Sequence, residues 1–340
     1  NTSQIFGCRW FIDATGSGAL LRQLGVGRAE THFQTRSSAV FSHFRDVRPW
    51  RTWLLEHNIS PDDYPYDPDC SALHHLLDEG WLWMLRFNNG ITSAGLVLDE
   101  QTQAGLPENK ESVWQETIAR YPSLADLFEE AAFADQPGQL LSTQRLQRKS
   151  QKMAGPGWVA LPHTAGFVDP LHSTGIAHSL SGVEHLLYAF ESGDMDSVAQ
   201  SSFPETYEKA TFRELHFIDI LVDGCYRARA NFDLFAVYSM LYFTAAVHYE
   251  QKRLGGNFDM EEHSFLSAGH PRIPVLIRRC YRELREITSH PPVTEAAAAA
   301  FRAKVTKAIA PYNTAGLLDP DIPNMYEHTA ADLGSEVRDS

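Results

Sequence analysis

The stretch that most restricts what this 340-residue chain can become runs from Gly157 to Phe190. It opens with an apolar run, Gly157-Trp-Val-Ala-Leu161, of the length and type of a buried strand. A loop of small and polar residues follows in Ala165-Gly-Phe-Val-Asp-Pro-Leu-His-Ser-Thr-Gly-Ile176. Ile176, Leu180, Val183, Leu187 and Phe190 then recur at spacings of four, three, four and three, which is one face of a helix. Ser173 or Thr174 is placed to cap that helix, and Gly175 lets a ligand come close to the backbone. A strand, a small-residue loop and a helix start gather unpaired N–H groups and the positive end of the helix dipole, and so make an anion site. Such a site suits the pyrimidine end of a flavin, which becomes anionic on reduction. The other reading is an ordinary strand-to-helix crossover with a Pro-Leu turn.

Gly166-Phe-Val-Asp-Pro-Leu, then Ser173-Thr-Gly-Ile176, resembles the second flavin-contacting motif of the flavin-dependent halogenases and their monooxygenase relatives. The resemblance implies FAD as cofactor, with Asp169, Pro170, Ser173, Thr174 and Gly175 at the flavin ring and the Thr174 and Gly175 amides holding a halide. Phe11-Ile-Asp-Ala-Thr-Gly16, followed by Leu20-Leu-Arg-Gln-Leu-Gly25, is similar to the Asp-Ala-Thr-Gly strand end of the same superfamily, which puts Ala14, Thr15 and Gly16 beside the cofactor. Trp81-Leu-Trp83-Met-Leu85 and the return stretch Ile91–Leu98 resemble the family's Trp-x-Trp hairpin, with Trp81 and Trp83 shaping the substrate side. Read from the residues alone, Trp81, Trp83 and Leu85 share one face of a strand, and Asn89-Gly90 is a tight-turn signal. A hairpin that simply buries two tryptophans fits the same pattern.

Departures from the family pattern matter too. Pro162-His163-Thr164 stands where relatives have Gly-Asp-Ala, and a neutral His163 nitrogen can replace that aspartate toward the cofactor. His172 stands where tryptophan-specific halogenases carry a glutamate, which argues against free tryptophan as substrate. His172 is the candidate catalytic residue, as a proton shuttle, or else a residue before the helix with no role. Arg86 replaces the proline that ends the Trp-x-Trp motif. No Gly-x-Gly-x-x-Gly turn precedes residue 6, and none of the seven lysines lies in the context of the halogenase lysine. The chain therefore reads as the C-terminal part of a larger flavoprotein, expected by itself to hold FAD weakly and to be inactive.

Residues 6–13 are expected as a strand, 36–48 as an alternating strand, and 49–80 as irregular apart from a short helix over Ala72–Leu77. Residues 107–133 read as two helices broken at Pro122, 204–253 as helices apolar all round, and 293–310 as an Ala-rich helix. The polar end from Asp319 is expected to fray. The expected fold is α/β (α+β): an incomplete FAD-binding domain from 1–35 and 151–195, a substrate-side sheet with a helical cover over 36–150, and a helical region over 196–340.

The implied activity is that of an FAD-dependent oxidoreductase of the halogenase and monooxygenase type. It oxidises or halogenates a small organic substrate through a flavin hydroperoxide, with halide and a flavin reductase as further partners. An FAD-dependent reductase or dehydrogenase acting on an apolar substrate, or a non-catalytic remnant of the fold, are the alternatives. A net charge of −14 argues against nucleic acid or an anionic membrane as partner. The longest apolar run, Leu234 to Val247, is too short to span a bilayer. Four scattered cysteines fit a reducing cytoplasm, and the histidines lack zinc-ligand spacing, so no metal is expected.

Overall fold

A computed structural model describes residues 7–30, 32–62, 67–100, 109–193, 197–198, 201–255 and 264–321. The chain begins with β1 (Phe11–Asp13) and α1 (Ala19–Gln23). It then builds a sheet from β2 (Ser37–Arg45), β3 (Ala72–Leu77), β4 (Gly80–Arg86), β5 (Thr92–Asp99), β6 (Ala132–Phe133) and β7 (Leu141–Thr143). Between these strands lie α2 (Trp50–Glu56), α3 (Lys110–Arg120) and α4 (Pro122–Phe128). The strand order is β3-β4-β5-β2-β6, with β7 also paired to β2, and all of these ladders are antiparallel.

Period-two alternation divides the side chains of this sheet between two cores. Val40, Leu82, Met84, Leu96 and Leu98 pack with Trp114, Leu124 and Leu127 of α3 and α4. Ala39, Trp81 and Val97 point the other way, toward the C-terminal helices. The turn at Asn89-Gly90 closes β4 onto β5, with Gly90 at φ 80° and its N–H bonded to Phe87 O at 3.2 Å. Opposite Trp83 sits Gly95, where a Cβ would stand 2.3 Å from the indole Cη2, so only glycine leaves room for the ring.

Ala72–Leu77 is a strand, not the expected helix. Its leucines and histidines split by alternation: Leu73 and Leu77 reach the α3/α4 core, while Leu76 reaches the opposite one. Pairing along the whole of β4, from Ala72↔Leu85 to Leu77↔Gly80, overrides the local helix propensity. The irregular stretch expected over 49–80 also contains α2, and Pro65 within it lies outside the described residues. The first strand begins at Phe11, and residue 6 is outside the described residues.

After β8 (Arg148–Lys149) and β9 (Ala154–Gly155), strand β10 (Trp158–Ala160) pairs in parallel with β1, matching Phe11 to Trp158 and Asp13 to Ala160. The strand does not run straight into the loop as expected. A helical turn, α5 (Pro162–Ala165), and a short strand, β11 (Gly166–Phe167) paired to β8, intervene before α6 (Thr174–Ser192). Helix α6 lies against the small sheet through Leu186 and Ala189, with the Phe190 ring 5.2 Å from that of Trp10. At Gly182 an added Cβ would stand 2.5 Å from Pro162 Cδ, which sets how closely α5 and α6 approach. Most of the periodic face read from the sequence is not packed: Ile176, Leu180 and Leu187 are 78%, 60% and 54% exposed, and Phe190 alone of that face meets the cluster at Trp10. The packed face carries His178, Ser181, His185, Leu186 and Ala189 instead.

Further helices are α7 (Phe203–Ala228), α8 (Phe232–Leu254), α9 (Ile273–Thr288) and α10 (Glu295–Ile309). Thr294 accepts from Ala297 N–H and starts α10 where the sequence expects it. The expected frayed tail lies almost wholly outside the described residues, which end at Asp321. Among the described residues, no helix is long and apolar enough to cross a membrane.

Candidate flavin-side site

The Asp-Ala-Thr-Gly turn is held by its own aspartate. Asp13 is fully buried; its Oδ1 accepts from Thr15 N–H at 3.0 Å and Thr15 Oγ at 2.7 Å, and its Oδ2 accepts from Leu21 N–H at 3.0 Å. One carboxylate thus shapes the turn and starts α1, leaving Ala14 and Thr15 exposed. Gly16, at φ 69°, donates its N–H to Thr164 Oγ at 3.0 Å. Arg148 Nη2 donates both to Gly16 O at 2.8 Å and to His163 O at 2.7 Å. A single guanidinium therefore stitches the two sequence motifs together.

The loop into α6 is anchored from both sides. Asp169 is 2% exposed; its Oδ2 accepts from Ser37 Oγ at 2.6 Å and Tyr226 Oη at 2.9 Å, and its Oδ1 from Leu171 N–H at 3.0 Å. Its carboxylate is taken up by these protein donors, which hold the loop in place. Beyond the loop, buried His178 meets Glu214 Oε2 at 2.9 Å, and Glu214 Oε1 accepts from Ser264 Oγ and Phe265 N–H. Burial by itself pushes the Glu214 carboxyl up, but the hydrogen bond and charge of His178 outweigh it and hold the group below its ordinary range.

Between these anchors, Ser173 sits exposed at φ 51° in the N-cap position of α6. Its side chain makes no capping bond, against expectation, because the left-handed backbone turns it away from the first helical N–H groups. Pro170 O accepts from Ser173 N–H at 2.8 Å. Among the described residues no protein acceptor meets the N–H of Thr174 or Gly175. They stand at the positive end of a 19-residue helix. A methyl group on Gly175 would come within 2.8 Å of His163 Nδ1, so it would enter the imidazole and not a ligand's space, as the sequence suggested. Burial and then the Arg148 charge hold His163 below its ordinary pKa, which favours the neutral ring.

His172 stacks on Tyr242 with centroids 4.2 Å apart and planes at 9°, and its Nε2 is 3.5 Å from Cys225 Sγ. Burial drives its pKa down to about 3, with His74 adding to the effect. A proton shuttle titrates near neutrality, and burial works against that here. Trp81 is a core residue at 3% exposure, donating from Nε1 to Tyr226 Oη at 3.0 Å. Trp83 is half-buried, 6.1 Å from Trp81 by ring centroids, and donates to Ser93 Oγ. His74 lies 4.6 Å from the Trp81 ring. The structure thus brings the first motif, the loop and α6 together, and sets Trp81 and His172 into packed walls. Sequence reasoning missed Ser37, Gln147, Arg148 and Tyr226, which sit in no motif; the only signal was an arginine and a glutamine inside the strand-like run Leu146–Lys149.

A parallel strand pair bearing this turn, a loop feeding a long helix, and a large sheet roofed by helices define the fold of the flavin-dependent halogenases. The halogenase PltM in complex with phloroglucinol and FAD superposes with a TM-score of 0.76 at 22% identity, over 91% of this chain and 65% of that one. The flavin-dependent brominase Bmp2 gives 0.54 at 15% identity, over 82% and 63%. The family model for tryptophan halogenase matches residues 4–231, and the chain belongs to that family. Tetracycline 7-halogenase of Kitasatospora aureofaciens is 26% identical over 253 residues, covering 70% of this chain and 44% of that protein. Monodechloroaminopyrrolnitrin halogenase PrnC of Pseudomonas fluorescens is 25% identical over 246 residues, covering 70% and 42%. The chain therefore spans less than half the length of these curated relatives.

Proposed function

We propose that this chain provides the flavin-loop and substrate-side parts of an FAD-dependent halogenase acting on a small organic molecule. The observation that carries the reading is the meeting of two distant motifs. Gly16 bonds to Thr164 beside a loop whose Thr174 and Gly175 N–H groups lack protein acceptors. The residues fit a flavin: exposed Ala14 and Thr15, open space around the Gly16 Cα, a neutral His163 and free amides at a helix start suit an anionic ring edge or a halide. When bound, reduced FAD supplies the reaction with oxygen that oxidises halide or substrate. The chain's own share is placement: Arg148 fixes the two carbonyls under the site, Asp169 and His178 hold the loop, and Trp83 borders the substrate side. Absence of the family glutamate at His172 favours an aromatic other than free tryptophan. Chloride or bromide and a separate flavin reductase complete the proposed set of partners. The four free cysteines suit a cytoplasmic setting.

The test is mass spectrometry of products from the full-length protein, given FAD, a flavin reductase, NADH, halide and a panel of phenols and indoles. A halogen-for-hydrogen mass change that disappears without halide supports the proposal. Turnover with no halogen incorporated points to the reductase or dehydrogenase alternative. Flavin titration of residues 1–340 is a second check, with only weak quenching of FAD fluorescence expected.

A further inference from the structure

The bonds around Asp169 form a network whose direction is fixed at both ends. An indole can only donate, so Tyr226 Oη accepts from Trp81 Nε1 and must pass its own proton to Asp169. On the other side, Gln147 Oε1 accepts from Ser37 N–H at 3.0 Å, which fixes the amide's orientation. Gln147 Nε2 then donates to Ser37 Oγ and to Val168 O, both at 2.8 Å, so the Ser37 proton also goes to Asp169. Two hydroxyl protons and the Leu171 N–H converge on one carboxylate, and among the described residues no bonded partner is left to accept a proton of its own.

We propose that Asp169 is a positioning residue that, in its ionised form, ties the Leu171–Gly175 loop to Trp81 through Tyr226 and to β2 through Ser37. The tie deepens the proposed function, because that loop carries the amides assigned to flavin or halide. Protonation of Asp169 sets its own proton against those of Ser37 and Tyr226, so the loop and the Trp81 indole loosen together. Burial, partly opposed by these hydrogen bonds, raises the carboxyl to about 6, which puts the switch within reach of ordinary buffers. The titratable groups facing it are few. Asp99 of β5 adds to the rise and is itself paired with Arg229 at 2.7 Å. Cys225 and Tyr226 of α7 are pushed far up by burial and stay protonated, and His172 stays neutral.

The test needs no flavin, so its outcome stands apart from that of the halogenase reading. The whole chain is labelled with 15N-tryptophan, and the Trp81 indole N–H is followed by NMR from pH 5 to 7.5 in wild type, Asp169→Asn and Tyr226→Phe. Backbone hydrogen exchange is measured alongside. The wild-type resonance should move with a midpoint near 6, and both substitutions should abolish that movement. In Asp169→Asn, exchange at the bonded Leu171 and Ser173 amides should quicken about ten-fold while β4 and β5 are unchanged. If Asp169→Asn does not fold, Ser37→Ala serves instead; losing one donor should raise the Trp81 midpoint by about half a pH unit. A Trp81 signal indifferent to pH, or one that still titrates in Asp169→Asn, or unaltered loop exchange in that variant, overturns the proposal.

Discussion

In the six-stranded sheet, Leu82, Leu96 and Val97 are wholly buried and helices cover both faces, whereas across the molecule α6 turns Ile176, Leu180 and Leu187 to solvent. The first region is held by apolar packing on two sides. The second, the β1–β10 pair with α6, is held on one side by packing and elsewhere by individual hydrogen bonds. Arg148 reaches two carbonyls, Asp13 seals a turn, and His178 meets Glu214. The Thr174 and Gly175 amides without protein acceptors and the exposed Ala14 and Thr15 all lie in the second region. Packing secures the frame; hydrogen bonds aim the loop.

The contrast can be broken most directly at Trp81. Trp81→Ala should cost about 3–5 kcal/mol, since it opens a cavity between sheet and helices and leaves the Tyr226 hydroxyl without its donor. Denaturant unfolding measures this, and a loss below 1 kcal/mol would mean the sheet is not the frame. Next is His178→Ala, which leaves Glu214 buried with only its Ser264 and Phe265 donors and should cost about 3 kcal/mol. An equal loss in Glu214→Gln would show that the pair's shape matters more than its charge.

Acid should weaken the frame. Burial lowers His172 to about 3 and His74 and His75 to about 4, below the unfolded value. Between those values and roughly 6.5 the folded state binds fewer protons, so stability is lost as pH falls through that window. Asp169 and Asp219, both raised to about 6, act in the opposite sense, because there the folded state binds more protons. His248, likewise lowered to about 4, makes four histidines against two carboxyls, so a net loss of stability from pH 7 to 5 is expected. His172→Phe should shrink it; melting curves at the two pH values read both. The smallest effects belong to the open side. Ser173→Ala and Leu180→Gln should each stay within about 0.5 kcal/mol, since Ser173 caps nothing and Leu180 is 60% exposed. A full capping loss of about 1 kcal/mol at Ser173 would restore the reading made from sequence.

Much of the frame is legible in the residues. The Asn89-Gly90 turn, the break at Pro122 and the Thr294 cap are each local rules, and each holds where the sequence puts it. Ala72–Leu77 is not legible, because its state is set by the neighbour β4 and not by its own leucines. The same limit applies to α6. Its periodic apolar residues identify a helix correctly but not the side that packs, since the packed side uses His178, Ser181 and His185. The motifs at Asp13–Gly16 and His163–Ile176 are read from the sequence, and the Gly16–Thr164 bond joins them. What they omit is the support: Arg148, Ser37 and Tyr226 reach the site from 15 to 132 residues away in sequence, with no periodicity to announce them.

The parallel pairing of Phe11 with Trp158 also fixes an order of events in time. Closing a loop of that length costs chain entropy that only a few residues of β1 and β10 repay, whereas β4 and β5 are joined by the five residues 87–91. The hairpin and its neighbours should therefore be formed before the two ends of the strand pair find each other, and the Gly16–Thr164 bond should be among the last contacts made. Pulse-labelled hydrogen exchange during refolding would show Val97 protected ahead of Ile12. On this view the corner where the two motifs meet is the slowest part of the molecule to exist, and in a half-refolded population it is the part still missing.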